Sequence, residues 1–457
     1  MTQRLCGALV ATGLMLAPAA AVAEPSASTF KLGNGMDVVV IPDHRVPVVT
    51  HMVWYRVGAG EDPWGASGIA HFLEHLMFKS TSKLKSGEFS RIITSIGGRD
   101  NAATTHDTTS YYQRVAKEHL REVMELEADR MVNLRLLEEE VRTERDVIQE
   151  ERRSNVDGNP LSVLSEQMAA ALVQNHPYHR PVLGWAHEMA SLSRQDAASF
   201  YKRYYAPNNA VLVVAGDVTP EEVRPLAQAI YGRNKPNPAV ARRVRPMDPP
   251  DIAVRRVRLE DARAGAPMLL RYYKVPSYAS AAAGEAESIE LLTWILGGDD
   301  TSRTYRRLVG EQLASTAGSN YESDGLDGGR LAFVVIPVPG VTLERVEAVL
   351  DATIAEVLAN GVTQQELDRA KSALEAQRVF ESDNQATLAR RYGLGVALGR
   401  SIADIDAAPA RMRERTLADL QRVAGSFLRP ERSVTGSLVQ PAAAKREPTS
   451  PGPAAAK

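Results

Sequence analysis

Two histidines and a glutamate lie within five residues of one another in the apolar segment GIAHFLEHLMFKS, as His71, Glu74 and His75. The apolar residues around them have helical spacing, and on a helix positions i and i+4 share one face. His71 and His75 can therefore present two imidazole nitrogens to one metal ion. Glu74 points to the same side, where a carboxylate can hold a water molecule and take its proton. This spacing indicates metal-assisted hydrolysis.

A zinc site with two histidines needs a third protein ligand before it is complete. Without that ligand, the motif can also be read as two structural histidines on a half-buried helix. The acidic segment LEEEVRTERDVIQEERRSN offers candidates, because Glu144 and Glu151 are two helical turns apart and share a face. One of them can bind the metal while the other supports a ligand histidine by a hydrogen bond. The alternative is a solvated helix face held by Glu–Arg pairs.

Composition limits the class of protein. The chain has 457 residues, with 54 lysines and arginines against 56 aspartates and glutamates, and a formal net charge of −2. Hydrophobic residues make up 44% and charged residues 24%, which is typical of a soluble globular protein with two or three domains. The charge balance excludes a general nucleic-acid binder. The single cysteine, Cys6, excludes intrachain disulfides and any zinc site built from several cysteines.

Residues 1–23 have the pattern of a secretory signal peptide. Arg4 precedes an apolar stretch from Leu5 to Leu16, and Ala21-Val22-Ala23 forms a cleavage motif. We therefore predict that the signal is cleaved and that the mature chain lies in the periplasm. An uncleaved membrane anchor is the alternative. No later apolar run is long enough to span a bilayer, so no membrane span is expected after cleavage.

Alternating strand and helix signals run through two parts of the mature chain, on either side of a Pro- and Arg-rich stretch. This pattern predicts an N-terminal domain, a linker, a second similar domain and a disordered tail, with the boundaries 24–232, 233–250, 251–439 and 440–457. Val218-Thr219 and Val341-Thr342 each precede a long amphipathic helix. We interpret this repeated pattern as a sign of duplication.

Five blocks of the sequence resemble the pitrilysin family of zinc peptidases, which includes insulysin and the mitochondrial processing peptidases. In chain order the blocks are GIAHFLEHLMFKST, GGRDNAATTHDTTSYY, ERDVIQEE, HPYHRPVLG and YYAPNNAVLVVAGDV. The HxxEH order of the first block is the inverse of the common HExxH motif. The resemblance implies that His71, His75 and Glu151 bind zinc and that Glu74 is the general base. Manganese or cobalt could occupy the same donors.

The resemblance also assigns supporting roles. Glu144 matches the family's second glutamate, which is not a ligand, and therefore supports a ligand histidine. Asn101 and Ala102 match an edge strand that pairs with the substrate backbone, so that main-chain hydrogen bonds give affinity. For Asn101 the alternative is a turn residue that follows the two glycines Gly97-Gly98.

The sequence departs from the family in its second half. The family has an arginine there and, seven residues on, a tyrosine; the pair holds the substrate and polarises the scissile carbonyl. One alignment places Leu308 and Ser315 at these positions, and a shift of one residue gives Val309 and Thr316. Arg306 and Tyr321 lie nearby, but their spacing is wrong. An oxyanion donor of this kind is typically worth about 3–4 kcal/mol, so its absence should lower turnover by roughly 100- to 1,000-fold.

Two explanations of the missing pair compete. The chain is either the catalytic subunit of a heteromer, whose homologous non-catalytic partner supplies the arginine and tyrosine, or a homodimer in which other residues substitute. Family members that act as one chain carry four such domains and are roughly twice as long, which favours the heteromer. A non-enzymatic structural subunit of the same fold is the remaining alternative.

The resemblance implies an α+β fold of two homologous domains, each a mixed β-sheet covered on one side by helices. A second two-domain chain would close over the first and enclose a chamber. The function this implies is a zinc-dependent endopeptidase that hydrolyses peptides or unfolded segments small enough to enter the chamber.

Overall fold

The computed structural model describes residues 27–240 and 242–441. The predicted signal peptide and most of the predicted tail lie outside the described residues. In the first half the elements, in chain order, are β1 (Ser28–Lys31), β2 (Asp37–Pro42), β3 (Val48–Tyr55), α1 (Ile69–Leu76), α2 (Glu88–Ser95), β4 (Arg99–Thr104), β5 (Thr109–Ala116), α3 (Leu120–Asn133), α4 (Glu138–Arg152), α5 (Pro160–Leu172), α6 (Ala186–Met189), α7 (Arg194–Tyr204), β6 (Ala210–Gly216) and α8 (Pro220–Ile230).

The second half follows an extended segment that contains no strand or helix among its described residues from Asn234 to Val254. Its elements are β7 (Arg255–Glu260), β8 (Met268–Val275), α9 (Glu285–Gly297), α10 (Arg303–Leu308), β9 (Ala314–Glu322), β10 (Gly329–Pro337), α11 (Leu343–Asn360), α12 (Gln364–Ser382), α13 (Gln385–Ala397), α14 (Ile402–Arg413), α15 (Leu417–Phe427) and β11 (Ser433–Val439). None of the helices in the described part of the chain is long and apolar enough to cross a membrane.

The two halves repeat one sheet topology. The first sheet has the order β1-β2-β6-β3-β5-β4, and the second has the order β7-β11-β8-β10-β9. In each, one parallel pair (β2 with β6, β7 with β11) is followed by antiparallel neighbours. The predicted α+β class, with two homologous domains and mixed sheets, is therefore confirmed. Strand β1 is an addition of the first half.

The helices that follow the repeated Val-Thr pairs begin where the sequence predicts. Thr219 caps α8 through its side chain, which accepts a hydrogen bond from the Glu222 amide, and Pro220 occupies the first turn. Thr342 caps α11 in the same way, accepting from the Arg345 amide. The two caps lie at different places of the repeated topology, because α8 follows β6, the counterpart of β11, whereas α11 follows β10, the counterpart of β5. The likeness of the two halves therefore rests on the sheet topology and not on the Val-Thr pairs.

Both faces of each sheet are buried, so the prediction of helices on one side only is wrong. In β6, Leu212 and Val214 belong to a core with α1, α3 and α4, whereas Val211 and Val213 belong to a separate core with α13. Strands buried on both faces have continuous apolar runs rather than alternation, and AVLVVAG in β6 has this pattern.

The second cover of each sheet comes from the other half of the chain. Helix α13 lies on the outer face of the first sheet and contributes Leu388, Ala389 and Tyr392. Helix α5 lies on the outer face of the second sheet, where Leu164 and Met168 pack against residues of β8 and β11. The two halves therefore exchange one helix each, and neither sheet is fully covered by its own half.

A buried arginine of the extended segment joins the halves. Arg245 donates to Glu61 at 2.5 Å, to Asp107 at 2.5 Å and to Asp327 at 2.8 Å. Glu61 and Asp107 belong to the first half, and Asp327 lies in the loop between β9 and β10 of the second. The side chain of Arg245 is only 6% exposed, and those of Glu61 and Asp107 are also buried, so these two ion pairs are shielded from water and salt, whereas Asp327 is 39% exposed. The guanidinium fixes the turn after β4 to the second half.

We predict that Leu164→Ala lowers the free energy of unfolding by about 2–5 kcal/mol, because it opens a cavity between α5 and the second sheet. Leu164 is fully buried. Leu417→Ala is the matched control, because Leu417 is 36% exposed at the start of α15 and should cost less than about 1 kcal/mol. Denaturant unfolding measures both, and equal effects of the two substitutions would contradict the helix exchange.

Candidate metal centre

Helix α1 carries His71, Glu74 and His75, and its first turn is held by a distant carboxylate. Asp62 accepts hydrogen bonds from the Gly68 amide at 2.6 Å and the Ala70 amide at 3.2 Å. These amides have no partner within the helix, so the carboxylate replaces the missing cap. Burial raises the pKa of Asp62 to about 8, against the opposing effect of these two hydrogen bonds.

Two glycines allow a loop to approach the start of α1. Gly68 has φ of +87° and a Cβ there would lie 2.4 Å from the Leu183 carbonyl oxygen. Gly184 has φ of +89° and a Cβ there would lie 2.4 Å from the Ser67 carbonyl oxygen. Any side chain at either position would clash with backbone and strain a left-handed conformation. The pair therefore fixes the helix start against the HPYHRPVLG loop.

Helix α4 faces α1 with alternating apolar and acidic residues. Val141, Glu144 and Ile148 are buried, and Glu151 completes the same face at the last turn. The spacing of three, four and three residues keeps all four on one side of the helix. Val141 and Ile148 join the core of the first half, which places the two carboxylates over α1.

The side chains of His71, His75 and Glu151 converge on one point. The Glu151 Oε2 atom lies 3.6 Å from His71 Nε2 and 3.3 Å from His75 Nε2. One ligand atom of each residue lies within 4.8 Å of the other two. The two imidazole rings stand edge to face with centroids 4.7 Å apart. The three residues predicted to be metal ligands therefore lie together, and they do not themselves fill a fourth coordination position.

Glu144 holds the second histidine rather than joining the group. His75 Nδ1 lies 2.9 Å from Glu144 Oε1, and Lys79 contacts the other oxygen of the same carboxylate. Burial lowers the pKa of His75, but the hydrogen bond and charge of Glu144 outweigh it and leave the pKa raised. Burial raises the pKa of Glu144, and the His75 and Lys79 contacts outweigh this effect and lower it. With Nδ1 donating to Glu144, the Nε2 atom of His75 is directed at Glu151.

His71 is held as a neutral imidazole. Burial, with a smaller effect from the neighbouring His75, lowers the pKa of His71 to about 3. Its Nδ1 atom is buried and has no hydrogen-bond partner among the described residues. Neutral imidazole is the form that binds metals, so the environment of His71 favours a ligand.

The donor set fits a zinc ion. Two histidines and one glutamate are a known ligand set of catalytic zinc, which keeps a further position open. Ligands at about 2.0–2.1 Å in tetrahedral geometry are about 3.3 Å apart, which is close to the 3.3 and 3.6 Å separations of Glu151 from the histidines. Glu151 Oε2 is buried without a hydrogen-bond partner in the described chain. A bound cation would satisfy this oxygen.

Glu74 lies beside the group and contacts the end of β4. Its Oε2 atom accepts a hydrogen bond from the Thr104 hydroxyl at 2.5 Å. Burial raises the pKa of Glu74, and the hydrogen bond from Thr104 and the nearby His75 act in the opposite direction. A buried carboxylate with a raised pKa is a better proton acceptor than one in water, which suits a general base.

Strand β4 forms the free edge of the first sheet, and both predicted substrate-contacting residues lie on it. Asn101 is exposed, and Ala102 packs partly against the core. The Ala102 amide donates to the Asn101 side-chain oxygen at 2.9 Å. One neighbour of β4 is β5, and its other side has no strand among the described residues. The turn alternative for Asn101 is wrong, because Asn101 lies in the middle of a regular strand.

The second half has neither arginine nor tyrosine where the family has its pair. Leu308 is fully buried, and Ser315 and Thr316 are exposed on β9. Of the two candidates noted in the sequence, the Tyr321 hydroxyl donates to the Pro276 carbonyl at 2.6 Å, and the exposed Arg306 lies 3.5 Å from Glu366. The departure seen in the sequence therefore remains in the folded chain.

Two sequence profiles of one family match most of this chain. The profile described as insulinase, peptidase family M16, matches residues 37–185, which include all the residues of the group. The profile described as the peptidase M16 inactive domain matches residues 191–374. The chain belongs to the insulinase family of peptidases. The family resemblance seen in the sequence is thereby confirmed.

The similarity to individual proteins extends over nearly the whole chain. The chain is 27% identical over 419 residues to zinc protease PqqE of Helicobacter pylori, covering 90% of this chain and 92% of that protein. It is 24% identical over 429 residues to a probable mitochondrial-processing peptidase subunit beta of Arabidopsis thaliana, covering 89% of this chain and 77% of that protein. The crystal structure of a protease from Helicobacter pylori superposes with a TM-score of 0.84 at 28% identity, covering 91% and 99% of the two chains.

Two residues that shape the group have no local signal in the sequence. Asp62 caps α1 from six residues before Gly68, through a loop, whereas cap patterns are read from adjacent positions. Thr104 meets Glu74 across 30 residues of chain. Strand alternation places Thr104 on the same face as Ala102, but it does not indicate a contact with Glu74.

We predict that Glu144→Gln raises the dissociation constant for zinc by about 10- to 100-fold, because the His75 ring loses the charge that orients it. Competition with a chromogenic chelator measures the constant. Glu139→Gln is the matched control, since Glu139 is exposed on the first turn of the same helix. Equal affinity of the Glu144 variant and the unmodified chain would contradict the supporting role of Glu144.

Proposed function

We propose that this chain is a zinc-dependent endopeptidase whose ligands are His71, His75 and Glu151 and whose general base is Glu74. The observation that carries the proposal is the convergence of two imidazole Nε2 atoms on the unpartnered Glu151 Oε2, with Glu74 alongside. A solvated acidic face would not bury an oxygen without a partner. The names of the relatives, zinc protease and processing peptidase, support the same reaction class.

Each residue then has a definite task. Zinc, when bound, would supply a Lewis acid that lowers the pKa of water, so that the water can act as a nucleophile towards a peptide carbonyl at neutral pH. Glu144 keeps the His75 Nε2 atom aimed at the metal position. Glu74 accepts a proton from the attacking water on its carboxylate and then donates it to the nitrogen of the leaving amine. The carboxylate is thereby regenerated at the end of the hydrolysis. Asp62 and the Gly68–Gly184 contact hold α1, so that these donors are fixed before substrate arrives.

We propose that the substrate is an extended peptide that adds to the free edge of β4. An edge strand offers unpaired main-chain groups, and an incoming peptide can satisfy them regardless of its side chains. The Asn101 side chain now accepts from the Ala102 amide and would turn away when a peptide carbonyl takes its place. Recognition by main chain supports a substrate class of peptides or unfolded segments rather than one folded protein.

We propose further that the chain is the catalytic subunit of a heteromer. A developing oxyanion needs a donor, and the arginine and tyrosine positions hold Leu308 and Ser315 or their neighbours. A homologous subunit that closes over the first sheet could supply both donors. The name of the Arabidopsis relative, a subunit of a processing peptidase, is consistent with such pairing.

The proposed compartment is the periplasm, with the substrate reaching the enzyme after export. The support is the signal-like pattern of residues 1–23, which lie outside the described residues. N-terminal sequencing of the protein taken from the cell envelope tests the cleavage, and an intact N-terminus there would contradict it.

We predict that Glu74→Gln keeps the full zinc content and lowers kcat by about 100- to 10,000-fold, because the amide cannot accept the proton. Metal analysis and hydrolysis of a quenched fluorescent peptide measure the two properties. Glu125→Gln, on the exposed side of α3, is the control for loss of one negative charge. Hydrolysis at the unmodified rate by the Glu74 variant would overturn the mechanism.

We predict that the chain alone hydrolyses peptides slowly and that a homologous subunit carrying the arginine and tyrosine raises the rate by about 100- to 1,000-fold. The measurement is the peptidase rate of each chain separately and of the mixture, with the mass of the species in solution. Full activity of a homodimer would contradict the heteromer and leave the peptidase proposal intact. A chain without zinc and without activity in either case would favour the structural subunit.

A further inference from the structure

We propose that Thr104 is a positioning residue that connects the substrate-binding strand to the general base. The inference rests on the proposed function, since it assigns Glu74 as the base and β4 as the substrate edge. The observation behind it is a single hydrogen bond, in which the Thr104 hydroxyl donates to Glu74 Oε2 at 2.5 Å. It links the last residue of β4 to the helix that carries the histidines.

The two carboxylate oxygens of Glu74 differ in their hydrogen bonding. Among the described residues, Thr104 is the single hydrogen-bond partner of the Glu74 side chain, and Oε1 has none. A hydroxyl carries one hydrogen, so Thr104 cannot serve both oxygens. Oε2 is therefore held in place and Oε1 is free to accept a proton. A carboxylate without this contact would rotate about its terminal torsion, which is broad and only two-fold.

The backbone of Thr104 is itself firmly held. Thr104 pairs with Thr109 of β5, and the Thr109 hydroxyl donates to the Val57 carbonyl at 3.0 Å. The turn that follows is tied down by Asp107, which accepts from Arg245 and from the Leu326 amide of the second half. The hydroxyl that orients Glu74 thus projects from a strand end anchored on both sides.

The position of Thr104 also relates the base to the bound peptide. Ala102 and Thr104 are two residues apart on one strand face, which corresponds to about 6.5–7 Å along β4. A peptide that pairs with β4 would therefore run alongside Ala102 and towards the hydroxyl that holds Glu74. Pairing would also stiffen the edge strand, because it adds a second neighbour to a strand that has one. Binding of the substrate and orientation of the general base then depend on the same strand, β4.

Valine and serine separate the roles of the threonine side chain. Valine keeps the β-branched shape that suits a strand but cannot donate a hydrogen bond. Serine keeps the donor and loses only a methyl group. A purely structural role in packing would be damaged more by serine than by valine, whereas the proposed role predicts the opposite order.

The test is a kinetic comparison of Thr104→Val and Thr104→Ser in the full chain, with the partner subunit if one is required. We expect Thr104→Val to lower kcat by about 10-fold or more with little change in KM, and Thr104→Ser to stay within about 3-fold of the unmodified chain. Zinc content and thermal unfolding are measured for each variant and should match the unmodified protein. Thr29→Val, the same change at an exposed position on β1 at the opposite edge of the sheet, is the control.

A double-mutant cycle with Glu74→Gln completes the experiment. If Thr104 acts through Glu74, the double variant should be no slower than Glu74→Gln alone, because the interaction is already lost. An additive loss would overturn the inference, as would a Thr104→Val enzyme with unchanged kcat. Both results leave the proposed function standing, because it is tested separately by the zinc content and activity of the unmodified chain and by the activity of Glu74→Gln.

Discussion

The contact between α1 and α4 is the constraint on which the first half depends, because it buries ionisable groups beside an apolar core. Transfer of charged groups out of water is costly unless partners are provided. Each group at this contact except the Glu151 oxygen and one His71 nitrogen has such a partner: Glu144 has His75 and Lys79, and Glu74 has Thr104. The unpartnered Glu151 oxygen faces the two Nε2 atoms, where a cation would sit, so its lack of a partner is a property of the ligand set. The Nδ1 atom of His71 lies on the other side of its ring and would not be satisfied by that cation.

Much of this centre could be predicted from sequence because it depends on helical periodicity. The i, i+4 histidines and the seven-residue spacing of the two glutamates fix which side chains share a face, whatever surrounds them. The contacts of Asp62 and Thr104 could not be predicted in this way, because they join segments that are near only after folding. Strand β9 has a weak signal in the sequence, since Thr316 and Tyr321 are the only β-branched and aromatic residues in ASTAGSNYE.

Duplication of one topology has left the two halves with different chemistry. All nine histidines lie between His44 and His187, so the second half has none to offer a metal. Helix α9 occupies the place of α1 between the equivalent strands, but its buried side chains are mainly apolar, and its buried Glu287 pairs with Arg411. The second half therefore has the same sheet topology without any histidine. Sequence periodicity predicted the two similar sheets but could not predict the exchanged helices, since an amphipathic pattern does not specify which surface it covers.

The exchange of α5 and α13 makes the order of synthesis matter. After β6 has left the ribosome, the outer face of the first sheet, with Val39, Ile41 and Trp54, has no cover until α13 follows. The interval from Gly216 to Gln385 takes on the order of ten to thirty seconds to translate. For that time a broad apolar surface is open to other chains. The first sheet can therefore complete its cover only when nearly the whole described chain has been synthesised.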